Sequence, residues 1–318
     1  PERKYFIKAM DKVLKKVDLN IRYATFSELF LFFSVVLRSF LKYMDMDHDA
    51  YKKVKLQQNK IGLELYKQLR SEIMNREDNL DIASYLCLRA NWIDSAEDNV
   101  DGFLSGFFEE INNLIDNGED LEYQKTTNEY FHIERFKLLV QGNEKTILYE
   151  LDNAGEVMLD LFLIEVLIKK GHKIILAAKK NPVLNDITSI DIQDILKQDD
   201  LNHFSSYIES GELDLIHTNS GMAGKNLHLV SEEYKQAYKK ADFLILKGQG
   251  NFQTMPIGRR IGKEFVPFYY KKEMIFIMGV KSEIINACLK QIFVKERRSY
   301  KDTFFLYYYN PKEIHQYL

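Results

Sequence analysis

"TILYELDNAGEVMLD" (146–160) decides how the fold is read. An apolar run, "TILYEL" (146–151), meets two polar side chains, Asp152 and Asn153, and an amphipathic-looking segment that restarts as a helix follows near 155. A strand, a polar turn and a helix in that order form the unit from which parallel sheets are built. The polar pair has two readings. Asn153 with Glu156 three positions on matches an N-cap and capping box, worth about 1 kcal/mol. Asp152 and Asn153 also stand where an open parallel sheet binds ligands, outside the carboxyl ends of its strands.

Working outward, the same grammar repeats downstream. "KIILAA" (173–178), "LDLIH" (213–217), "DFLILK" (242–247) and "MIFIMG" (274–279) are strand candidates, with helix candidates at 155–170, 189–199, 231–240 and 282–290. Near-continuous apolar strands alternating with helices predict a parallel sheet covered on both faces. The tail "TFFLYYYNPKEIHQYL" either adds an edge strand or lies across the domain. Upstream the grammar differs: the first 140 residues hold one proline and four glycines, against four and eleven in the rest. Segments such as "IGLELYKQLRSEIM" (61–74) and "VDGFLSGFFEEINNLI" (100–115) carry one apolar face at helical spacing. The expected architecture is α/β, with a helical N-terminal part (1–140) packed on a doubly wound, mostly parallel sheet domain (141–318).

Composition narrows the function classes. The chain has 318 residues, 46% hydrophobic and 29% charged, enough for a substantial core. A net charge of -3 and a pI near 6.2 argue against a nucleic-acid partner. Cys87 and Cys288 lie too far apart in sequence for a cysteine-rich zinc site, and the seven histidines include no H-E-x-x-H pair. The apolar patch "FSELFLFFSVVL" (26–37) is too short, and too interrupted by Glu28, to span a bilayer, and it lacks a signal-peptide cleavage pattern. A cytoplasmic enzyme or binding protein, with no membrane partner, is the expectation.

Three strand ends carry polar groups that a parallel sheet would bring together. After Asp152 and Asn153 come "KKNPVLNDIT" (179–188), with Lys179, Asn185 and Asp186, and "KGQGNF" (247–252), with Lys247 and Asn251 around two glycines. Each has a structural reading: Thr188 with Asp191 forms a cap, and Gly248 and Gly250 form a tight turn. Taken together they favour chemistry. Two carboxylates and an amide oxygen suit Mg²⁺ or Mn²⁺. Two lysines beside a metal are costly unless an anion is bound, and a phosphate draws charge from both, with backbone N–H groups of the helix near Gly155 aimed at the same place. "NSGMAGKN" (219–226) lacks a Walker ending and reads more readily as a plain loop, though Ser220 and Gly221 could touch a substrate. His217 is a general-acid candidate or a structural histidine. Asn91 and Trp92 belong to a lid or, for Trp92 more readily, to the core.

"LDNAGEVMLD", "KNPVLNDIT" and "KGQGNF", in that order and spacing, resemble the signature segments of the damage-control phosphatase family, a former domain-of-unknown-function group with acidic-residue methyltransferase-like relatives. "DAYKKVKLQQN" (49–59) is similar to that family's Asp-Pro-Tyr-x-x-x-Lys stretch, with Ala50 in place of proline. "RANWID" (89–94) is similar to its Gly-Asn-x-x-Asp segment, with Ala90 in place of glycine. The resemblance implies a metal-dependent phosphatase whose metal ligands match Asp152, Asn153 and Asp186 and whose phosphate-contacting lysine matches Lys247. Lys179 takes the place of the lysine that precedes the family's Pro-x-x-Asn-Asp segment. There are two departures: the Cys-x-x-Cys pair of the shortest prokaryotic relatives has no counterpart, and Gln253 stands where a glutamate is usual.

The expected site therefore has Asp152, Asn153 and Asp186 on one divalent cation (Mn²⁺, Mg²⁺, Co²⁺ or Ni²⁺), with Asp160 and Asn185 as supports. Asp160 reads equally well as an exposed helix residue. Lys179, Lys247, Asn185, Glu156, Ser220 and Asn91 are the candidate contacts to a small phosphorylated substrate, a sugar phosphate or damaged phosphometabolite. Either metal-activated water or Asp152 is the nucleophile. An S-adenosylmethionine-dependent methyltransferase is the main rival, but the first strand lacks the glycine-rich turn it needs. A non-catalytic metal- or metabolite-binding protein is the other.

Overall fold

A computed structural model of the chain describes residues 49–90, 93, 106, 108–113, 116, 118–128, 130–219, 224, 225, 227, 229–255, 258–261, 264–267, 270–280 and 304–309. The helical part comprises α1 (Lys52–Met74), α2 (Asn79–Arg89), α3 (Glu119–Thr127) and α4 (Ile133–Leu139). In α1, Ile61, Leu65, Tyr66, Leu69 and Ile73 recur at three- and four-residue intervals and are buried, the stripe an amphipathic helix needs. In α2 every residue from Leu80 to Arg89 is buried, so this helix lies inside rather than on the molecule.

The sheet follows: β1 (Thr146–Glu150), α5 (Glu156–Lys169), β2 (Lys173–Ala178), α6 (Ser189–Leu196), a 3₁₀ turn (Asp199–Leu201), α7 (His203–Glu209) and β3 (Leu213–His217). Then come α8 (Glu232–Lys240), β4 (Phe243–Lys247), α9 (Gly248–Thr254), β5 (Gly258–Ile261), β6 (Glu264–Pro267), β7 (Glu273–Gly279) and β8 (Phe304–Tyr309). Six strands form one sheet in the order β3-β2-β1-β4-β7-β8, and β5 and β6 form a separate antiparallel pair. The first five are parallel; β8 runs antiparallel to β7, so the tail does supply an edge strand.

The chain winds from β1 outward to β3, then returns to β4 on the other side of β1. The switch point between β1 and β4 is where such a sheet opens a ligand crevice beyond its carboxyl ends. Strand alternation builds a core on each face. Ile147 and Tyr149 enter the core made with α1, α2, α5, α6 and α7, while Leu148 enters the one made with α8 and α9. Burial on both faces explains why the strands read as almost unbroken apolar runs.

Helix α5 is central, buried from Glu156 to Ile168 between the sheet and the N-terminal helices. A Cβ on Gly62 of α1 would lie 2.6 Å from the Gly155 carbonyl, so α1 crosses the start of α5 at a distance only glycine permits. Farther along, Arg70 pairs with the buried Glu165 at 2.5 Å, and Tyr66 donates to the same carboxylate at 2.8 Å. These contacts fix the helical part against the front of the sheet.

The predicted strands and the helices at 155–170, 189–199 and 231–240 appear within a few residues of their expected ends, the second closing at Leu196 before the 3₁₀ turn. The helix expected at 282–290 and much of that at 100–115 lie outside the described residues. No helix among the described residues is long and apolar enough to cross a membrane.

Candidate active site at the switch point

The loops after β1 and β2 are stitched together. Asn153 and Asp186 form an isolated antiparallel bridge. Ala154 N–H donates to the Asn185 carbonyl and Ile187 N–H to the Asp152 carbonyl, both at 2.9 Å. The turn that delivers Asp186 needs Leu184 at a left-handed φ of 48°, an uncommon conformation for a residue with a side chain. Two segments about thirty positions apart thus place Asp152, Asn153 and Asp186 side by side. Asn153 and Asp186 are buried, and Asp152 is half-buried.

The capping reading of "DNAGE" does not hold. The N-cap of α5 is Gly155, at φ 75°, with no side-chain cap. A Cβ there would meet Ile93 and Gln58 of the helical part within 3 Å, which requires glycine. The Gly155 N–H is taken by Asn59 Oδ1 of α1 at 2.7 Å. Glu156, freed from capping, turns inward and accepts from Asn153 Nδ2 at 2.9 Å. Thr188 and Asp191, by contrast, do form the expected capping box at the start of α6. Lys55 of α1, buried, pairs with both Asp49 at 2.5 Å and Asp191 at 2.6 Å, which ties the "DAYKKVK" stretch to that cap.

"KGQGNF" is not a tight turn: α9 begins at Gly248, directly after β4. Lys247 has no exposed surface and points toward the helical part. Its ammonium contacts Asp160 Oδ1 at 2.5 Å, the Cys87 carbonyl at 3.0 Å and Glu156 Oε2 at 3.9 Å. Burial would lower its pKa, but Asp160 outweighs that and holds the lysine charged above its usual range. Asp160, expected as either a support or an exposed residue, is buried, and burial raises its pKa despite Lys247.

On the opposite face of the sheet lies a second buried cluster that the sequence reading passed over. Lys225 donates to Glu150 Oε2 at 2.6 Å and to Asn251 Oδ1 at 3.4 Å, and Tyr234 donates to Glu150 Oε1. Burial lowers the Lys225 pKa more than Glu150 restores it. Gly224 closes the arrangement. Its carbonyl accepts from Lys179 Nζ at 2.6 Å, and a Cβ on it would lie 2.2 Å from the Gly250 carbonyl. Residues 224 and 225 therefore join the ends of β1, β2 and β4, so "NSGMAGKN" is more than a plain loop. One signal was visible, the glutamate inside the apolar run "TILYEL": a charge on a strand covered on both faces requires a buried partner.

Of the expected site residues, Asp152, Asn153, Asp186, Lys179, Asn185 and Glu156 converge on the paired loops. Lys179 Nζ lies 3.6 Å from Asp186 Oδ2. Asn185 Nδ2 faces Gln58 Oε1 of α1 at 3.5 Å. Lys247 sits beneath them. Asn91, Trp92 and Ser220 lie outside the described residues. No group of three or more His, Cys, Asp or Glu side chains able to hold a metal ion occurs among the described residues; the expected ligands are two carboxylates and an amide.

Comparison with known proteins agrees with the motifs. The family model for the damage-control phosphatase ARMT1-like domain matches residues 2–292. An uncharacterized protein of Methanocaldococcus jannaschii is 31% identical over 224 residues, 69% of this chain and 66% of that protein. A damage-control phosphatase of Pyrococcus horikoshii is 34% identical over 155 residues, 46% of this chain and 50% of that protein. The chain thus spans less than two thirds of the length of these curated relatives. The crystal structure of a DUF89 family protein from Pyrococcus horikoshii superposes with a TM-score of 0.63, covering 91% of this chain and 86% of that one. At 22% identity that likeness is one of fold.

Proposed function

We propose, from the premise that the chain belongs to the damage-control phosphatase ARMT1-like domain family, that it is a divalent-metal-dependent phosphatase acting on small phosphorylated metabolites. The carrying observation is the bridge between Asn153 and Asp186, which gathers two carboxylates and an amide beyond the switch point. The relatives named damage-control phosphatase support the same reading.

The residues present fit a divalent cation. Asp152, Asp186 and the amide oxygen of Asn153 are hard oxygen donors, which suit Mg²⁺ or Mn²⁺ with water completing the shell. When bound, such an ion supplies Lewis-acid stabilisation of a phosphoryl oxygen and lowers the pKa of a coordinated water.

The chain's own groups do the rest. Lys179, anchored by the Gly224 carbonyl, and Asn185, facing Gln58 of α1, are placed to contact phosphoryl oxygens. Lys247 contributes a fixed positive charge from beneath, with no solvent to reorganise around it. Asp152, half-buried beside Gly248, is the carboxylate best placed to meet an incoming phosphoryl group, as ligand or as nucleophile. Packing of α1 and α2 over the front of the sheet limits water in the cleft, which strengthens each of these interactions.

The test is phosphate release from p-nitrophenyl phosphate and a panel of sugar phosphates by metal-free protein. Each substrate is run with and without Mg²⁺, Mn²⁺, Co²⁺ or Ni²⁺, beside Asp152→Ala. Release that requires metal and is lost in the variant is expected. Folded, metal-binding protein without turnover would favour a binding role instead.

A further inference from the structure

Glu156 and Lys247 have no exposed surface, yet they stand one residue behind the expected metal ligands. Asn153 sits between Asp152 and Glu156, and its Nδ2 donates to Asp152 Oδ2 at 3.3 Å and to Glu156 Oε1 at 2.9 Å. An amide nitrogen has two hydrogens, and here both are directed at carboxylates. The amide oxygen is therefore held on the side away from them. That oxygen is the atom a hard cation would use.

An amide cannot hold this orientation unaided, because turning it over exchanges nitrogen for oxygen at little steric cost. Both carboxylates oppose the turn, since an oxygen facing them would be repelled, and Glu156 makes the shorter contact, 2.9 Å against 3.3 Å for Asp152. Glu156 is itself held from its other side. Its second oxygen, Oε2, lies 3.9 Å from Lys247 Nζ, and Lys247 is clamped by Asp160 at 2.5 Å and the Cys87 carbonyl at 3.0 Å.

We infer that Glu156 is a positioning residue that fixes the Asn153 amide for metal binding, and that Lys247 and Asp160 hold Glu156 in place. Glu156 then touches neither substrate nor metal. Its requirement is chemical: one oxygen must accept from Asn153 while the other faces an ammonium. Glutamine cannot do both. With its oxygen toward Asn153, its NH₂ group opposes Lys247. With its NH₂ group toward Asn153, two donors meet and the Asn153 amide turns over, presenting nitrogen where the cation would bind.

The inference rests on the metal-binding reading above, and its test separates the two. Metal-free protein is titrated with Mn²⁺, the free ion is followed by electron paramagnetic resonance, and the melting temperature is measured in parallel. The forms are wild type, Glu156→Gln, Asn153→Asp and the double exchange N153D/E156Q. The exchange keeps the total charge and swaps donor for acceptor across the same hydrogen bond. Each single variant is expected to bind Mn²⁺ roughly 10- to 100-fold more weakly: E156Q loses the partner that orients the amide, and N153D sets a carboxylate against that of Glu156. The exchange is expected to recover affinity to within about threefold of wild type, where losses adding independently would multiply.

Wild-type affinity in E156Q, or an exchange variant as weak as the two losses multiplied, overturns the inference. If one single variant does not fold, the exchange variant decides by itself: binding supports the inference, and failure to bind or fold overturns it. Wild type that binds no Mn²⁺ refutes the metal reading itself, and this inference with it.

Discussion

Asp152 and Gly248 meet across the switch point between β1 and β4, so closely that a Cβ on Gly248 would fall 1.8 Å from Asp152 Oδ2. Gly248 also has φ 76°, in the left-handed region. The carboxylate is thus seated against bare backbone at the start of α9, and any side chain there must displace it.

Gly248→Ala is therefore expected to remove activity as well as stability. Backbone strain alone costs about 1–2 kcal/mol for a residue with a Cβ at positive φ. Gly142 provides the control, because it has φ 88° and nothing within 4 Å of the added carbon. G142A is expected to lose only that increment in a urea titration and to keep its phosphate release. G248A is expected to lose at least roughly 100-fold in release rate, on the scale seen when a reacting group is misplaced by about an ångström. Equal activities in the two variants would remove Asp152 from the reaction.

The Glu150–Lys225 pair makes a distinct stability prediction. Breaking a buried ion pair from one side strands a charge and costs about 3–5 kcal/mol, whereas replacing both partners with apolar groups is far milder. Lys225→Met is expected to lower unfolding free energy by that amount, and the E150L/K225M double variant by markedly less. Tyr234 and Asn251 each lose a partner in the double variant, so a residual cost remains. Denaturant unfolding of the three forms checks the order.

Acid stability should depend on Glu165. Burial would raise its pKa, but hydrogen bonds from His203, Arg70 and Tyr66 outweigh that and hold it well below the usual carboxylate range. A carboxyl depressed in the folded state adds stability above its unfolded pKa of about 4.3 and loses it as pH falls toward the folded value. Wild type is therefore expected to weaken progressively below about pH 5. Glu165→Gln is expected to start lower at neutral pH and show a shallower acid slope in melting temperature. Parallel slopes would mean that other carboxylates carry the acid response.

Much of this architecture was legible in the sequence, for a physical reason. Strands buried on both faces must be apolar throughout, so "KIILAA" and "DFLILK" show themselves without an alignment. The three candidate-site segments were legible because they sit at the ends of such strands. What was hidden depended on partners far away in sequence. Asn153 and Glu156 have the spacing of a capping box, yet Asn59, 96 positions upstream, takes the Gly155 N–H and leaves Glu156 to turn inward. The Lys225–Glu150 pair spans 75 positions and Lys247–Asp160 spans 87, so no local pattern could join them. Glu150 was the exception: a charge at the end of a strand buried on both faces signals a missing partner without naming it.

The most direct test of the central claim is anomalous diffraction from crystals grown with Mn²⁺. A single strong peak within coordination distance of Asp152, Asn153 Oδ1 and Asp186, and absent in crystals of Asp186→Asn, is the result this account predicts. A peak elsewhere on the protein, or none at a Mn²⁺ concentration that supports phosphate release, would contradict it.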